Sequence, residues 1–182
     1  NQDIDHLIEQ YKNSNLFEYV EPDFIGIGGG KKVELQYTPN DTYFSRQYGL
    51  YNDGTFSQSP ATNDADIDMD LGWDIEQGDQ SIIVAILDSG TKLDHPEFNG
   101  RLWINSNETI NGIDDDNNGY IDDINGWDFA NNDNNPTDDH GHGTNVTGII
   151  GANVNNNLGY SGVDQNCKLM IGKILDQNNS GY

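Results

Sequence analysis

Basic residues are scarce in this chain: 8 Lys and Arg stand against 31 Asp and Glu, giving a formal charge of −23 over 182 residues. Without a basic stripe to neutralise phosphates, nucleic acid is disfavoured as a ligand. There is one cysteine, Cys167, so no disulfide closes within these residues. Its apolar successors Leu169, Met170 and Ile171 mark it as a small buried hydrophobe at a strand start. A reactive thiol would need an electropositive setting, and Lys168 alone offers little of one. No run approaches the length of a membrane-crossing helix, and no internal repeat is visible. No Met and no basic-then-apolar leader opens the sequence, so no signal peptide is seen. The length suits one ordinary domain.

What the chain has in excess is acid. Most of it reads as a solvated surface, but part is spaced as cation-binding oxygens would be. Asp114-Asp115-Asp116-Asn117-Asn118-Gly119-Tyr120-Ile121-Asp122-Asp123 places oxygens at positions 1, 3, 5 and 9 of a calcium loop, with glycine at 6. Asp114, Asp116, Asn118, the Tyr120 carbonyl and Asp122 or Asp123 are the candidate ligands. Position 12 is Asn125 rather than a bidentate Glu, so a helix-loop-helix hand is excluded and a bare Asp-rich loop is expected.

The order of elements points to an α/β fold. The apolar run Ile82 to Leu87 predicts a core strand of a parallel sheet covered on both faces. Residues 66–76 alternate like a strand through Ile67, Met69, Leu71, Trp73 and Ile75, while Leu71 and Ile75 are also helically spaced. Residues 104–141 are long, polar and rich in Asn, Asp and Gly, with a strand near Gly126 to Phe129; loops that long are uncommon unless functional or ligand-organised. A helix is expected from about His142 to Ala152, with Val146, Ile149 and Ile150 on one side. Lys168 to Leu175 is a second core strand, expected to leave an unfinished sheet edge. Strand, helix, strand is the βαβ signature. Residues 5–12 read as the end of a helix, Phe17 to Val20 as a strand closed by Pro22, and Gly28 to Gly30 as a flexible linker.

The chemistry centres on two segments. Ile82-Ile83-Val84-Ala85-Ile86-Leu87-Asp88-Ser89-Gly90 delivers an acid at the end of a strand, where α/β enzymes place their sites. Asp139-His140-Gly141-His142-Gly143-Thr144 presents an imidazole where a helix opens. An acid that orients a histidine base is half of a nucleophilic device. Gly141 and Gly143 would keep the flanks of His142 slim enough for substrate. The competing reading is a zinc site from His140 and His142 beside Asp138 and Asp139, which a helix start disfavours.

Asp88-Ser89-Gly90 with His95-Pro96-Glu97-Phe98 resembles the aspartate motif of the subtilases, and His142-Gly143-Thr144-Asn145-Val146-Thr147-Gly148 resembles their histidine motif. Tyr37-Thr38-Pro39-Asn40-Asp41-Thr42-Tyr43-Phe44, with Arg46-Gln47-Tyr48-Gly49, is similar to the mature amino terminus of the thermitase branch. The resemblance runs over roughly residues 15–182. It implies a subtilisin-like parallel sheet with helices on both faces, incomplete at the carboxyl side, with residues 66–76 a short helix that packs Trp73 inward. It also implies a secreted serine endopeptidase acting on proteins or peptides, in which Asp88 orients and His142 is the base. No serine in a nucleophile context follows His142, so the nucleophile is expected beyond Tyr182 and the chain alone is expected to be inactive. Residues 1–25 resemble the end of an inhibitory propeptide, which acts as an intramolecular inhibitor. Residues 26–36 would be a linker with the processing region, and residues 37–182 the front of the catalytic domain. Ser180, Gly181 and Tyr182 resemble a substrate-binding edge. Asn145 departs from the family, where a second histidine is common. The thermitase resemblance implies two further Ca2+ sites: Asp41 and Glu97 with Asn153, Asn156, Leu158 and Tyr160, and Asp128 and Asp133 with Asn135 and Thr137. An acidic calcium-binding structural module and a pseudoprotease that never acquired the serine are the alternatives.

Overall fold

The structure is a computed structural model that describes residues 13, 37–56 and 62–181. Contacts divide the chain into two units, Asn1–Glu34 and Leu35–Tyr182. The segments expected as propeptide tail and linker lie, apart from residue 13, outside the described residues.

The frame of the second unit is a three-stranded parallel sheet of β1 (Ile83–Asp88), β2 (Gly126–Asp128) and β3 (Lys168–Lys173), in the order β1-β3-β2. Parallel neighbours need crossover connections. Here α2 (His142–Gly151) follows β2 and leads back to β3. The α/β class and the parallel sheet flanked by helices are as the sequence pattern predicts. The position of β3 is not. It pairs with β1 from Ile83↔Lys168 to Asp88↔Lys173 and with β2 from Gly126↔Ile171 to Asp128↔Lys173. The expected unfinished edge at Lys168 to Leu175 is therefore the central strand, ending at Lys173, and β1 and β2 are the edges. Chain order placed the last strand outermost; hydrogen bonding inserts it between the first two.

The core gathers Ile86, Phe98, Cys167, Leu169 and Ile171, with Val84, Leu93, Leu102, Val146 and Ile150 packed against it. Strand alternation explains which residues enter: Ile86 on β1 shares a face with Ile171 on β3, since the two are register partners. Ile83, Ala85 and Leu87 point the other way and are exposed, Leu87 by 59%. The unbroken apolar run is thus not buried throughout, as had been expected from its composition. Helix α2 approaches β1 through its small residues, with Gly143, Thr147 and Gly151 buried at every fourth position. Ile149 does not share the face of Val146 and Ile150. It lies about 200° round the helix from Thr147 and is 66% exposed.

A second cluster of Phe44, Leu50 and Trp73 forms around α1 (Met69–Ile75). The ambiguous stretch 66–76 therefore resolves as a helix, and its Trp73 is 1% exposed. The indole is held by Nε1 donating to the Val163 carbonyl at 2.7 Å and by the edge of Tyr37, 5.6 Å between centroids. Arg101, also buried, donates to the carbonyls of Asp164, Gln165 and Cys167 and so fixes the approach to β3. No helix among the described residues is long and apolar enough to cross a membrane.

Leu169 is fully buried in the central strand. Leu169→Ala should cost about 2–5 kcal/mol, whereas Ile149→Ala on the exposed side of α2 should stay within about 0.5 kcal/mol. Urea unfolding of both variants in the full-length protein measures the difference, and equal costs would contradict this burial pattern.

Candidate active site

The register aligns three ionisable groups at the carboxyl end of the sheet: Asp88 and Asp128 each oppose Lys173. Open α/β sheets bind ligands outside this edge. Asp88 ends β1, and its carbonyl accepts from Ile174 N and Leu175 N, which carries the ladder one step past β3. Its carboxylate Oδ1 accepts from Ser89 N at 2.7 Å and contacts His142 Nδ1 at 2.7 Å. The Asp88 side chain is 12% exposed and that of His142 52%. Burial alone would push the Asp88 carboxyl up, but the hydrogen bonds from His142 and Ser89 outweigh it and hold the group below its ordinary value. Asp88 is therefore ionised at neutral pH and can only accept. Nδ1 must then carry the proton, which leaves Nε2 as the basic nitrogen.

His142 is the first residue of α2. Gly141 precedes it at φ 100°, a left-handed conformation that favours glycine, with open space around it. Gly143 is buried, and a Cβ there would lie 2.1 Å from the Gly90 carbonyl. Its missing side chain thus lets the helix meet the end of β1, rather than making room for substrate as the sequence suggested. Gly141, at the N-cap position, has no side chain to cap the helix. Asp138 does so from three residues earlier. Its Oδ2 accepts from Thr144 N at 2.9 Å and Thr144 Oγ1 at 2.5 Å. Its Oδ1 accepts from His140 N, Gly141 N and Ser89 Oγ at 2.8–2.9 Å. Burial raises this carboxyl, yet the hydrogen bonds from Thr144, Gly141 and His140 prevail and depress it to about 2. The sequence reading missed this role, although an acid shortly before a helix with Thr in its first turn is a capping signal.

The zinc alternative does not form. His140 is exposed, and among the described residues the only metal-capable group of three or more His, Cys, Asp or Glu lies elsewhere. Asp139 instead meets Lys173 Nζ at 2.7 Å, while Asp128 lies 3.4 Å from the same ammonium. Burial lowers Lys173, but its two carboxylates overcome this and raise it above its ordinary value. Cys167 is buried, and burial together with Asp164 pushes the thiol up, away from reactivity.

Three places were expected to hold calcium. In the Asp-rich loop, Glu108, Asp116 and Asp123 bring ligand oxygens within 4.8 Å of one another. This acidic cluster is capable of coordinating a metal ion. Only Asp116 and Asp123 of the expected set belong to it. Asp114 accepts from Asn118 N and Gly119 N, Asp122 from Asn111 N and Gly112 N, and Asn118 donates its amide to Asp123. The Tyr120 ring packs on Trp127 and Phe129. Asp114 and Asp122 lie outside this three-residue cluster and accept from backbone N–H groups, Asp114 from within the loop and Asp122 from the turn before it. Glu108, buried and just upstream of the motif, falls outside the spacing pattern, and its carboxylate accepts from Asp116 N and Asp122 N of the loop.

The second place is different. Asp41 and Glu97 are both buried. Asp41 accepts from Asn155 N, Asn156 N and Ser161 Oγ. Glu97 Oε2 accepts from Asn156 Nδ2 at 2.8 Å, whereas Oε1 has no hydrogen-bond partner among the described residues. Loop 153–160 wraps the pair: Asn153 N donates to the Glu97 carbonyl, Leu158 N to Asn156 Oδ1, and Tyr160 packs on Tyr43. At the third place Asp128 and Asp133 share an antiparallel bridge. Asp133 accepts from Asn135 N, and Asn135 accepts from Thr137 Oγ1. Asp128 already has Lys173 as its counter-charge.

Ser180 and Gly181 are exposed beyond β3, where Gly181 bridges Leu175 and Ser180 N donates to Asp176 at 3.0 Å. They line one side of a groove of about 380 Å³, with Asn131, Asp139 and Asp176 also lining it. Tyr182 lies outside the described residues.

A family model described as the Subtilase family matches residues 79–182. Subtilisin-like protease 1 of Plasmodium berghei is 47% identical over 100 residues, 54% of this chain and 17% of that protein. Thermitase of Thermoactinomyces vulgaris is 33% identical over 146 residues, 80% of this chain and 39% of that protein. The crystal structure of a serine protease of Aeromonas sobria with its chaperone has the same fold over 78% of this chain and 21% of that one, at 23% identity and a TM-score of 0.57. The chain spans less than two fifths of the length of each of these proteins. The similarity extends to both parasite and bacterial proteases, so it identifies the family and not its thermitase branch.

Asp138 sets an acid limit on this region. Its folded value of about 2 lies below the ordinary 3.8. Its contribution is therefore complete above about pH 4 and is lost as pH falls through about 2. Melting temperatures between pH 7 and 2 should decline more steeply at the acid end in the unaltered protein than in Asp138→Asn; parallel curves would refute the depressed value.

Proposed function

Starting from a chain that belongs to the subtilase family, we propose that the protein is a serine endopeptidase whose base and orienter are His142 and Asp88. The observation that carries this reading is the 2.7 Å contact of His142 Nδ1 with a carboxylate held ionised, on an imidazole half open to solvent. Nε2 would take the proton of a serine hydroxyl as that oxygen attacks the peptide carbonyl carbon. It would then return the proton to the leaving amine nitrogen, while Asp88 stabilises the imidazolium between the two steps. The serine would lie outside Asn1–Tyr182, in a parent protein of the greater length that the relatives have. Ser180, Gly181 and Tyr182 would pair with substrate backbone as an added strand. Residues 1–25 would act as the inhibitory propeptide tail, and the protein would be secreted.

In the full-length protein, His142→Ala and Asp88→Asn should each lower kcat on a chromogenic peptide by about 10⁴-fold or more. Undiminished hydrolysis by His142→Ala would end this reading.

Calcium belongs to the same proposal. A buried carboxylate oxygen without a donor is costly unless a cation meets it, and Glu97 Oε1 is such an atom. Asp41 and Glu97, with oxygens of loop 153–160, fit a hard cation that takes six to eight oxygen ligands. Glu108, Asp116 and Asp123 would hold a second ion, which would supply positive charge to a loop dense in acid. At 100 times its dissociation constant each ion would add about 2.7 kcal/mol to the native state. Millimolar calcium should raise the melting temperature of the unaltered protein, with a smaller rise in Glu97→Gln and in Asp116→Asn. A melting temperature indifferent to calcium and chelator would remove both sites.

A further inference from the structure

Asp88 and His142 belong to segments far apart in sequence, and their contact depends on how the end of β1 meets the first turn of α2. Each of the two residues is followed by one that touches the other segment. Ser89, next to Asp88, is fully buried, and its Oγ accepts from Gly143 N at 2.9 Å. Gly143 is next to His142. The same Ser89 hydroxyl donates to Asp138 Oδ1 at 2.9 Å. That oxygen also accepts from the two peptide N–H groups that lead into His142, those of His140 and Gly141. The other oxygen holds Thr144, two residues beyond His142, and Thr144 Oγ1 in turn accepts from Lys92 N on the segment after β1. A helix cap would need only the Thr144 contacts; Oδ1 reaches across to the strand.

We propose that Asp138 is a positioning residue for the Asp88–His142 pair, one carboxylate that fixes the distance between orienter and base by holding Ser89 and the two residues before α2 with one oxygen and Thr144 in the first turn of α2 with the other. The inference rests on the peptidase reading for its functional consequence, but the geometry it predicts is independent of activity. Lys173 anchors the same loop from the other side through Asp139. With Asp138 neutralised, the loop stays attached to β3, and its backbone stays paired with Thr91, but the carboxylate link to Ser89 beside Asp88 is lost. His142 then keeps its helix and loses its alignment.

The test is nuclear magnetic resonance of the imidazole protons in the full-length protein, together with steady-state kinetics. The proton shared by His142 Nδ1 and Asp88 should give a low-field signal that Asp88→Asn abolishes. Asp138→Asn should lose or broaden that signal while still melting cooperatively. It should lower kcat about 100-fold with KM changed by less than about threefold, a split that general destabilisation would not produce. Ser89→Ala, which removes the cross-link and leaves the helix cap intact, should act in the same direction more weakly. An unchanged signal in Asp138→Asn overturns the inference, and if that variant does not fold, an unchanged signal in Ser89→Ala overturns it. Signal loss on Asp138→Asn in a protein that never hydrolyses peptides would uphold the positioning role and sink the peptidase reading; hydrolysis with an unchanged signal would do the reverse.

Discussion

The pairing of β3 with both β1 and β2 governs the rest of the structure. Parallel strands in register must end together, so Asp88, Lys173 and Asp128 arrive side by side at one edge. Shifting β3 by one residue would turn Leu169 and Ile171 out of the core and Lys173 away from its carboxylates. The apolar packing and the ion pairs therefore specify the same register. Helix α2 then lies close to β1 only because Gly143 has no side chain to strike the Gly90 carbonyl. The site is a consequence of that close approach.

A chain with so strong an excess of acid must avoid stranding negative charge inside itself. It does so largely with peptide N–H groups. Asp138, Asp41 and Asp122 each accept from backbone donors of a neighbouring turn. Asp128 uses both the Asn131 N–H and the Lys173 ammonium. These acids act as local staples in a region with little regular secondary structure, which is how the long stretch 104–141 is organised without strands of its own beyond β2. Glu97 Oε1 stands outside this pattern, buried and without a donor among the described residues.

Much of the frame was legible because it is written in short-range patterns. The apolar run before Asp88 is a strand as its pattern indicates, though one buried on one face and at the sheet edge, and the small residues after His142 with apolar ones at helical spacing begin a helix. The alternation over residues 66–76 was ambiguous, and burial of Trp73 decided it. Two expectations failed for the same reason. Ile149 was grouped with Val146 and Ile150, and β3 was placed at the sheet edge, because neither a helix's facing direction nor a strand's neighbours are encoded next to the residues concerned.

Local sequence is enough to place Asp88 at the close of a strand and His142 at the opening of a helix, and to mark the acid-rich loop and the single buried thiol. Tertiary packing is what brings Glu108 to Asp116 and Asp123, gives Asp114 and Asp122 their backbone donors, and sets Lys173 between Asp128 and Asp139. It also turned Asp138 from a possible metal ligand into the clasp between β1 and α2. The division has a physical cause. A strand or helix is specified by neighbours a few positions away, whereas the partner of a buried charge is whichever group the packing of distant segments brings within hydrogen-bond reach.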